Sequence, residues 1–382
     1  MTTQSILQFN FPTTIRFGAG ASGELGDYLK RSGVSKPLIV TDSTVAGLEF
    51  FKDITDDLTR KGISVEVFSA IHKNPVRSDV YAGTIVYDST MRDGIVGIGG
   101  GAALDVARAI ALRVNHRDDL FKYDDLAGGE VYITGEIPHL VTLPTTSGTG
   151  SEVGRSAIIS EDTTHQKRIL FSPKLIARMV FADPALTLGL PPAVTAATGM
   201  DALTHNLEAY LAKMYHPICE SVALEGISLI SQSLEKAVHH PDLVSRSQMM
   251  LGSIMGGIAF QKGLGVVHSL AHPLSTLLDV HHGLANAVNL PHGMEFNIGG
   301  FEWKFERIAQ ALRLQEKDGG SVVKYLANLN EAIGVPRRLR DIGVKEEHLD
   351  ALADLAIADF AHPNNPKPVT RADFKALYEK AF

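Results

Sequence analysis

The first half of the chain alternates short apolar runs with amphipathic stretches, a pattern typical of parallel strands joined by crossover helices. Polar, glycine or proline residues follow each apolar run. The pattern predicts an α/β domain with strands at Pro37–Thr41, Ser64–Phe68, Gly94–Ile98, His139–Leu143 and Met179–Ala182. Ligands of such sheets bind beyond the carboxyl ends of the strands, so the loops that follow these runs form the expected binding edge.

The second half of the chain has a helical pattern. After Pro191-Pro192 the β-branched runs disappear, and apolar residues recur at helical spacing in Ala193–Lys213 and Ile218–Val238. We therefore predict two domains, an α/β domain over residues 1–187 and an all-α domain over residues 188–382. No run reaches the ~18 uninterrupted apolar residues of a membrane-spanning helix, so no membrane partner is expected.

Charge and cysteine content narrow the class of protein. Lys and Arg number 36 against 43 Asp and Glu in 382 residues, which gives a net charge of −7. This balance provides no overall basic field for nucleic acid, so a small-molecule substrate is the better expectation. A single cysteine, Cys219, cannot form an intramolecular disulfide or a thiolate cluster, which fits a reducing, cytoplasmic location.

Acid and imidazole groups at helical spacing are the main candidates for chemistry. Asp201 and His205 lie four residues apart, as do His268 and His272, and His282 follows. Residues four apart share a helix face, so each pair can point at one ion. One carboxylate with three imidazoles suits Zn²⁺ or Fe²⁺ and leaves a coordination position open to react. The spacing alone does not decide which histidine is left out.

A glycine cluster follows one predicted strand. Gly97–Ala102 leads into a helical pattern, Ala103–Arg113, that carries Asp105 in its predicted first turn. Glycines let the backbone approach a pyrophosphate, and the helix N-terminus attracts its charge. Asp42, at the end of an earlier strand, would accept both ribose hydroxyls of NAD and repel the 2′-phosphate of NADP. The alternatives are a tight turn for the glycines and a helix N-cap for Asp42.

A second polar loop, Pro144–Glu152, is rich in hydroxyl residues and glycine. Hydroxyls and amides at a strand end bind phosphate or the nicotinamide amide well. The alternative is a long polar connection that ends in a helix cap.

Several motifs, in order along nearly the whole chain, resemble the iron-containing (group III) alcohol dehydrogenase family. They are FGAG (Phe17–Gly20), VTD (Val40–Asp42), GGGxxxD (Gly99–Asp105), PTTSGTGSE (Pro144–Glu152), DP (Asp183-Pro184), GMDALTH (Gly199–His205), GVVHSLAHP (Gly265–Pro273), HHGLAN (His281–Asn286) and NPKPVT (Asn365–Thr370). The resemblance implies a Rossmann-like N-terminal domain and an all-helical C-terminal domain, the architecture shared with dehydroquinate synthase.

The resemblance also implies site residues. It assigns the metal, Fe²⁺ or alternatively Zn²⁺, to Asp201, His205, His268 and His282, and leaves His272 beside the site. It assigns NAD contacts to Asp42, Asn74, Gly100, Gly101, Thr145, Thr146 and Lys167, and the glycine loop adds Gly99, Ala102 and Asp105. His272 is the candidate proton relay; its alternative role is to orient a ligand.

Hydride transfer needs an alkoxide, and a Lewis-acidic cation lowers the pKa of a bound alcohol by several units. We therefore expect an NAD-linked alcohol dehydrogenase or aldehyde reductase acting on a small primary alcohol and its aldehyde. The competing functions are a glycerol-dehydrogenase-like or maleylacetate-reductase-like oxidoreductase, a dehydroquinate-synthase-like lyase, and a non-catalytic NAD- or metal-binding relative. The complete set of ligand types argues against the last.

Two further expectations concern assembly and substrate. The resemblance and the apolar stretch Ile6–Phe9, which would pair as an edge strand across subunits, predict a homodimer or larger homo-oligomer. Ala361 and His362 depart from the Cys-Thr of many relatives and are expected to border the substrate pocket. A charged His362 would favour an anionic aldehyde, whereas a solvent-facing His362 would have no role.

Overall fold

The computed structural model describes residues 13–382, so the predicted edge strand Ile6–Phe9 lies outside the described residues. Contacts divide the described chain into an α/β unit, Thr13–Gly189, and a helical unit, Leu190–Phe382. The predicted boundary was two residues earlier. Each unit is described by itself below.

The α/β unit contains one parallel sheet and a separate hairpin. The sheet has the strand order β1-β8-β5-β4-β2-β3, and β6 and β7 pair antiparallel. The strands are β1 Thr14–Phe17, β2 Pro37–Val40, β3 Glu66–Phe68, β4 Gly94–Gly99, β5 His139–Pro144, β6 Ser156–Ser160, β7 Lys167–Phe171 and β8 Met179–Ala182. All five predicted strands are present, with small shifts at their ends. The sequence pattern did not predict β1, β6 and β7, which are short and partly exposed.

Helices cover both faces of this sheet, which explains its continuous apolar strands. They are α1 Leu25–Arg31, α2 Ser43–Ala46, α3 Glu49–Arg60, α4 Arg77–Ser89 and α5 Gly101–Asn115. Successive residues of a strand point to opposite faces. Accordingly, Leu38 and Val40 pack into one apolar core and Ile39 into the other.

The helical unit contains nine α-helices among its described residues. They are α6 Pro192–Leu211, α7 Pro217–His239, α8 Leu243–Ala259, α9 Val266–Leu278, α10 His282–Asn297, α11 Glu302–Ala311, α12 Gly319–Ala332, α13 Leu349–Ile357 and α14 Arg371–Ala381. Every residue of α6 from 199 to 211 is buried. A helix that is buried on all sides belongs to the core, so each polar group on it needs a partner inside the unit.

Glycine allows the helices that carry the candidate ligands to pack closely. A Cβ on Gly283 of α10 would lie 2.2 Å from the carbonyl oxygen of Ala197 on α6, and one on Gly256 of α8 would lie 3.1 Å from the Cβ of His205. Side chains at these positions would push the backbones apart. The two glycines therefore let α8 and α10 approach the part of α6 that holds Asp201 and His205.

Within residues 13–382 no single helix is long and apolar enough to span a membrane. Leu243–Lys262 and Val266–Leu278 pass the test of length and composition only when taken together, and that pair is bent by 105°.

Candidate metal centre and dinucleotide-binding edge

The four predicted metal ligands come together inside the helical unit. Asp201 and His205 lie on successive turns of α6, His268 is in the first turn of α9, and His282 is the first residue of α10. One donor atom from each lies within 4.8 Å of the others. Asp201, His205 and His268 are buried, whereas the His282 side chain remains 26% exposed.

The chemistry of this quartet fits a divalent cation. Asp201 Oδ1 lies 3.4 Å from His282 Nε2, and Asp201 Oδ2 lies 4.0 Å from His205 Nδ1. The His205 and His268 rings stack with centroids 4.7 Å apart. Burying a carboxylate among stacked imidazoles is costly unless a cation compensates the charge. Nitrogen and oxygen donors of this kind suit Fe²⁺ or Zn²⁺.

His272 lies beside the quartet and has a carboxylate partner of its own. Its Nδ1 lies 2.8 Å from Asp359 Oδ2, and its ring stacks on His282 at 5.4 Å between centroids. Burial favours the neutral acid at Asp359, but the charge of His272 and hydrogen bonds from His272, Ser269 and Ala361 outweigh it and lower the Asp359 pKa to about 2. Asp359 is therefore an ionised acceptor that fixes the orientation of the His272 ring.

Two other polar residues at the quartet were not predicted from the sequence as site residues. Asn286 donates from Nδ2 to Asp201 Oδ1 at 2.7 Å, and this nitrogen lies 3.2 Å from His282 Nε2. Glu208 accepts a hydrogen bond from His268 Nδ1 at 2.6 Å. Helical spacing carried a signal for both, because Glu208 follows His205 by three residues and Asn286 follows His282 by four.

The structure changes the expectation for Ala361 and His362. Ala361 is 1% exposed. The His362 Nε2 atom lies 3.0 Å from the carbonyl oxygen of Ile357, and its ring packs edge-on against Phe374. One nitrogen of the imidazole is therefore bound within its own unit, so His362 is not an idle solvent-facing ring, and its charge toward an anionic substrate stays a prediction.

In the α/β unit, Gly99 closes β4 at the predicted phosphate cradle. Its φ of 154° is a conformation that favours glycine, and a Cβ there would lie 2.7 Å from the Cβ of Ala103. Its carbonyl oxygen accepts a hydrogen bond from Thr145 N at 3.0 Å. The same Cβ would lie 3.6 Å from Asp42 Oδ2. The structure thus places three of the predicted dinucleotide contacts next to one another.

The next two glycines contact the hydroxyl loop. A Cβ on Gly100 would lie 3.3 Å from Thr146 Oγ1, and one on Gly101 would lie 2.7 Å from Thr149 Cγ2. A larger residue at Gly101 would displace the loop. The glycine turn and the hydroxyl loop therefore form one continuous surface at the carboxyl ends of β4 and β5.

Asp42 has the N-cap geometry that was the alternative prediction. Its Oδ1 accepts hydrogen bonds from Thr44 N and Val45 N, both at 2.9 Å, at the start of α2. Its Oδ2 is the oxygen that would lie 3.6 Å from a Cβ on Gly99. One carboxylate oxygen thus caps the helix while the other faces the glycine turn, so a contact with ribose stays compatible with the cap.

Asp105 is held inside the α/β unit. Because α5 begins at Gly101, Asp105 lies beyond the first turn in which it was predicted. Its Oδ1 accepts from Ser151 Oγ at 2.6 Å, and its Oδ2 accepts from Ile158 N at 3.0 Å. A third contact joins it to Arg108 at 3.2 Å. The bond to Ser151 ties the hydroxyl loop to α5, and the predicted contact of Asp105 with the cofactor stays a prediction.

The remaining predicted dinucleotide residues occupy different parts of the α/β unit. Asn74 lies in the loop between β3 and α4, Ala102 is the second residue of α5, and Lys167 opens β7. Asn74 and Ala102 are partly exposed. The positive charge of Lys167 lies close enough to Asp105 to oppose the rise in the Asp105 pKa that burial causes.

Metal-dependent dehydrogenases contain a dinucleotide-binding sheet and a metal site. This chain has a parallel sheet with a glycine turn, and a helical unit with four side chains that fit a metal ion. Comparison with known families identifies which kind. Residues 12–184 match iron-containing alcohol dehydrogenase, and residues 195–382 match the C-terminal part of the Fe-containing alcohol dehydrogenase family, so the chain belongs to that family. The predicted fold class is confirmed, and the protein is a metal-dependent oxidoreductase of alcohols and aldehydes.

Individual relatives match along almost their whole length. The chain is 36% identical over 379 residues to a 4-hydroxybutyrate dehydrogenase of Cupriavidus necator, covering 97% of this chain and 98% of that protein. A solved 1,3-propanediol oxidoreductase superposes with a TM-score of 0.94 at 33% identity, over 99% and 100% of the two chains. A sulfoacetaldehyde reductase of Bifidobacterium kashiwanohense, solved with NAD⁺, gives 0.88 at 26% identity, over 99% of each chain.

Glu152, at the end of the hydroxyl loop, is a buried carboxyl group in the α/β unit. It is 2% exposed, and its Oε1 has no hydrogen-bond partner among residues 13–382. Burial raises its pKa from 4.5 to about 7, although a backbone hydrogen bond and the Arg108 charge oppose the rise. The folded protein therefore binds this proton more tightly than the unfolded chain does, and the contribution of Glu152 to stability falls as pH rises from about 4.5 to about 7.

We predict that Glu152→Gln removes this pH dependence. The unfolding free energy of the variant, relative to wild type, should rise by up to about 3 kcal/mol between pH 5 and 7 and stay constant above. Urea unfolding at each pH measures the difference. Glu130→Gln, at an exposed glutamate of the same unit, is the control. Parallel stability profiles for wild type and Glu152→Gln would contradict the prediction.

Proposed function

We propose that this enzyme interconverts a small primary alcohol and its aldehyde by hydride transfer with NAD, and that Asp201, His205, His268 and His282 hold one Fe²⁺, or alternatively Zn²⁺. The observation that carries the proposal is the convergence of four donor atoms within 4.8 Å of one another on three buried helices. When bound, such an ion lowers the pKa of an alcohol oxygen and polarises an aldehyde carbonyl.

The residues around the quartet orient its donor atoms. Asn286 donates to Asp201 Oδ1 and so holds one carboxylate oxygen in place, while the other oxygen faces His205. His268 is held through Nδ1, which leaves Nε2 as its donor toward the ion. Fixed donor positions of this kind maintain one coordination geometry without reorganisation during turnover.

His272 is the proposed proton relay. With Nδ1 donating to Asp359 Oδ2, the proton is exchanged at Nε2, and the ionised Asp359 stabilises the imidazolium form. The alternative role is to orient His282, on which the His272 ring stacks.

The proposed NAD site is the edge formed by the glycine turn and the hydroxyl loop. Gly99, Gly100 and Gly101 keep the backbone open to a pyrophosphate at the start of α5, and Thr145 and Thr146 lie beside them. The NAD⁺ bound to the related sulfoacetaldehyde reductase supports this choice of cofactor.

The relatives support a small substrate. Their names refer to 4-hydroxybutyrate, 1,3-propanediol and sulfoacetaldehyde, each a short molecule with a primary alcohol or an aldehyde. Two of the three are anionic. A preference for an anionic aldehyde that depends on a charged His362 stays a prediction.

We predict a homodimer or larger homo-oligomer on the basis of family membership. Light scattering at working concentration tests it, and a monomer at every concentration would contradict it. The cytoplasmic location and the absence of nucleic-acid and membrane partners stay predictions from the sequence.

We predict that wild type purified with Fe²⁺ binds metal and reduces short aldehydes with NADH under anaerobic conditions. His282→Ala should lose most of the metal and nearly all turnover, more than the roughly 10–100-fold cost of changing a residue behind a ligand. His292→Ala, on the same helix and outside the quartet, is the matched control and should keep both. Normal metal content and activity in His282→Ala would refute the ligand assignment, and a metal-loaded but inactive wild type would refute the reaction.

We predict a preference for NADH over NADPH that depends on the Asp42 charge. Asp42→Asn keeps an oxygen that caps α2 and removes the charge, so the ratio of kcat/KM for the two cofactors should fall by roughly tenfold or more, since a like-charge contact costs several kcal/mol. Asp42→Gly, which also loses the cap, should shift the ratio similarly but destabilise the protein. A wild type that uses both cofactors equally well would show that Asp42 does not face the ribose.

A further inference from the structure

Glu208 is a buried carboxylate on α6 at which four N–H groups converge. It is 2% exposed. Its Oε1 accepts from Val267 N at 2.6 Å, and its Oε2 accepts from Gly265 N at 3.0 Å. The same Oε2 accepts from His268 N at 3.4 Å and from His268 Nδ1 at 2.6 Å. Every one of these donors lies at the N-terminal end of α9.

The backbone contacts make Glu208 the cap of α9. The first amides of a helix have no acceptor within the helix, and the positive end of the helix dipole attracts an anion. The residue at the N-cap position is Gly265, which has no side chain to supply one. Glu208, from another helix, takes that place. A side chain at Gly265 would also crowd both cap acceptors, because a Cβ there would lie 2.7 Å from Asn365 Oδ1 and 3.0 Å from Glu208 Oε1.

The fourth contact orients the His268 ring. A carboxylate only accepts hydrogen bonds, so His268 donates from Nδ1 to Glu208, and Nε2 is the ring nitrogen left for a cation. The Nε2 atom lies on the side of the quartet, 3.4 Å from Asn286 Nδ2. A histidine that carried its proton on Nε2 could not donate an electron pair to a cation there.

We propose that Glu208 is the positioning residue of the metal centre: by accepting from His268 Nδ1 while capping α9, it fixes both the tautomer of His268 and the register of α9 against α6. The inference rests on the proposed role of His268 as a metal ligand. It makes one carboxylate on α6 responsible for the relative placement of Asp201 and His205 on that helix and His268 on the next.

A purely structural role is the competing explanation, and the chain offers a matched control for it. Asn365 accepts from Val266 N at 3.1 Å through Oδ1 and is 4% exposed. It therefore caps the same end of α9 from a buried position but does not contact His268. Asn365→Ala removes a cap acceptor and the hydrogen bonds to Asn297 and Lys367, but it leaves the partner of His268 Nδ1 in place. Glu208→Ala removes cap acceptors together with that partner.

The test compares metal affinity with stability in the full-length protein. Zn²⁺ affinity is measured by competition with a chromogenic chelator, and the unfolding midpoint is measured on metal-free protein. Both alanine variants should lower the midpoint. Only Glu208→Ala should also weaken Zn²⁺ binding, by roughly 10–100-fold. Glu208→Gln keeps one oxygen for Nδ1 and should recover part of the affinity. The visible spectrum of the Co²⁺-loaded protein should change in the Glu208 variants and match wild type in Asn365→Ala.

The outcomes separate the two proposals. A wild type that binds no Zn²⁺ would refute the metal centre itself. A wild type that binds Zn²⁺, with equal affinity losses in Glu208→Ala and Asn365→Ala, would reduce Glu208 to a helix cap and overturn the inference. If Glu208→Ala fails to fold, Glu208→Gln decides: unchanged affinity and an unchanged Co²⁺ spectrum would overturn it.

Discussion

The need to compensate buried polar groups on α6 determines much of the helical unit. Asp201, His205 and Glu208 lie on three consecutive turns of a helix that is buried from 199 to 211. An unpaired buried charge costs several kcal/mol, which is a large part of the stability of a typical domain. The neighbouring helices must therefore dock with imidazoles, amides and N-terminal N–H groups facing α6. A cation at the quartet would compensate the buried charge of Asp201, as hydrogen bonds compensate the other buried polar groups of α6.

Close packing is the second condition, and glycines provide it. Gly283 and Gly256 approach α6 on either side of the ligands, and at Gly283 even one methyl group would overlap a backbone oxygen. Overpacking a core typically costs about 1–3 kcal/mol, so larger residues there would destabilise the fold as well as displace His282 or His205. In the α/β unit, Gly99 and Gly101 similarly bring the β4–α5 turn against the hydroxyl loop. Both candidate sites thus depend on backbone approaches that only glycine permits.

The sequence predicted features that repeat along one element and missed those that join distant elements. Helical spacing indicated Asp201 with His205, and apolar runs located five parallel strands. The partner of His272 could not be found this way, because Asp359 lies 87 residues from His272 and meets it only through the fold. The hydrogen bond between Asp105 and Ser151 was not predicted for the same reason, because the tertiary fold brings these two residues together from 46 positions apart. Short strands with exposed faces, such as β1, leave too weak a pattern to detect.

The two histidines of α9 show what spacing alone could not decide. His268 and His272 lie on one face of the helix, with ring centroids 5.8 Å apart, and each presents Nδ1 to a carboxylate. By sequence either is an equally good ligand. They differ in the element that supplies the partner carboxylate. Glu208 lies on α6 and holds His268 beside Asp201. Asp359 lies in the loop after α13 and holds His272 against the ring of His282. A matching pair of imidazoles thus acquires two different proposed roles, metal ligand and proton relay, from the positions of two acceptors.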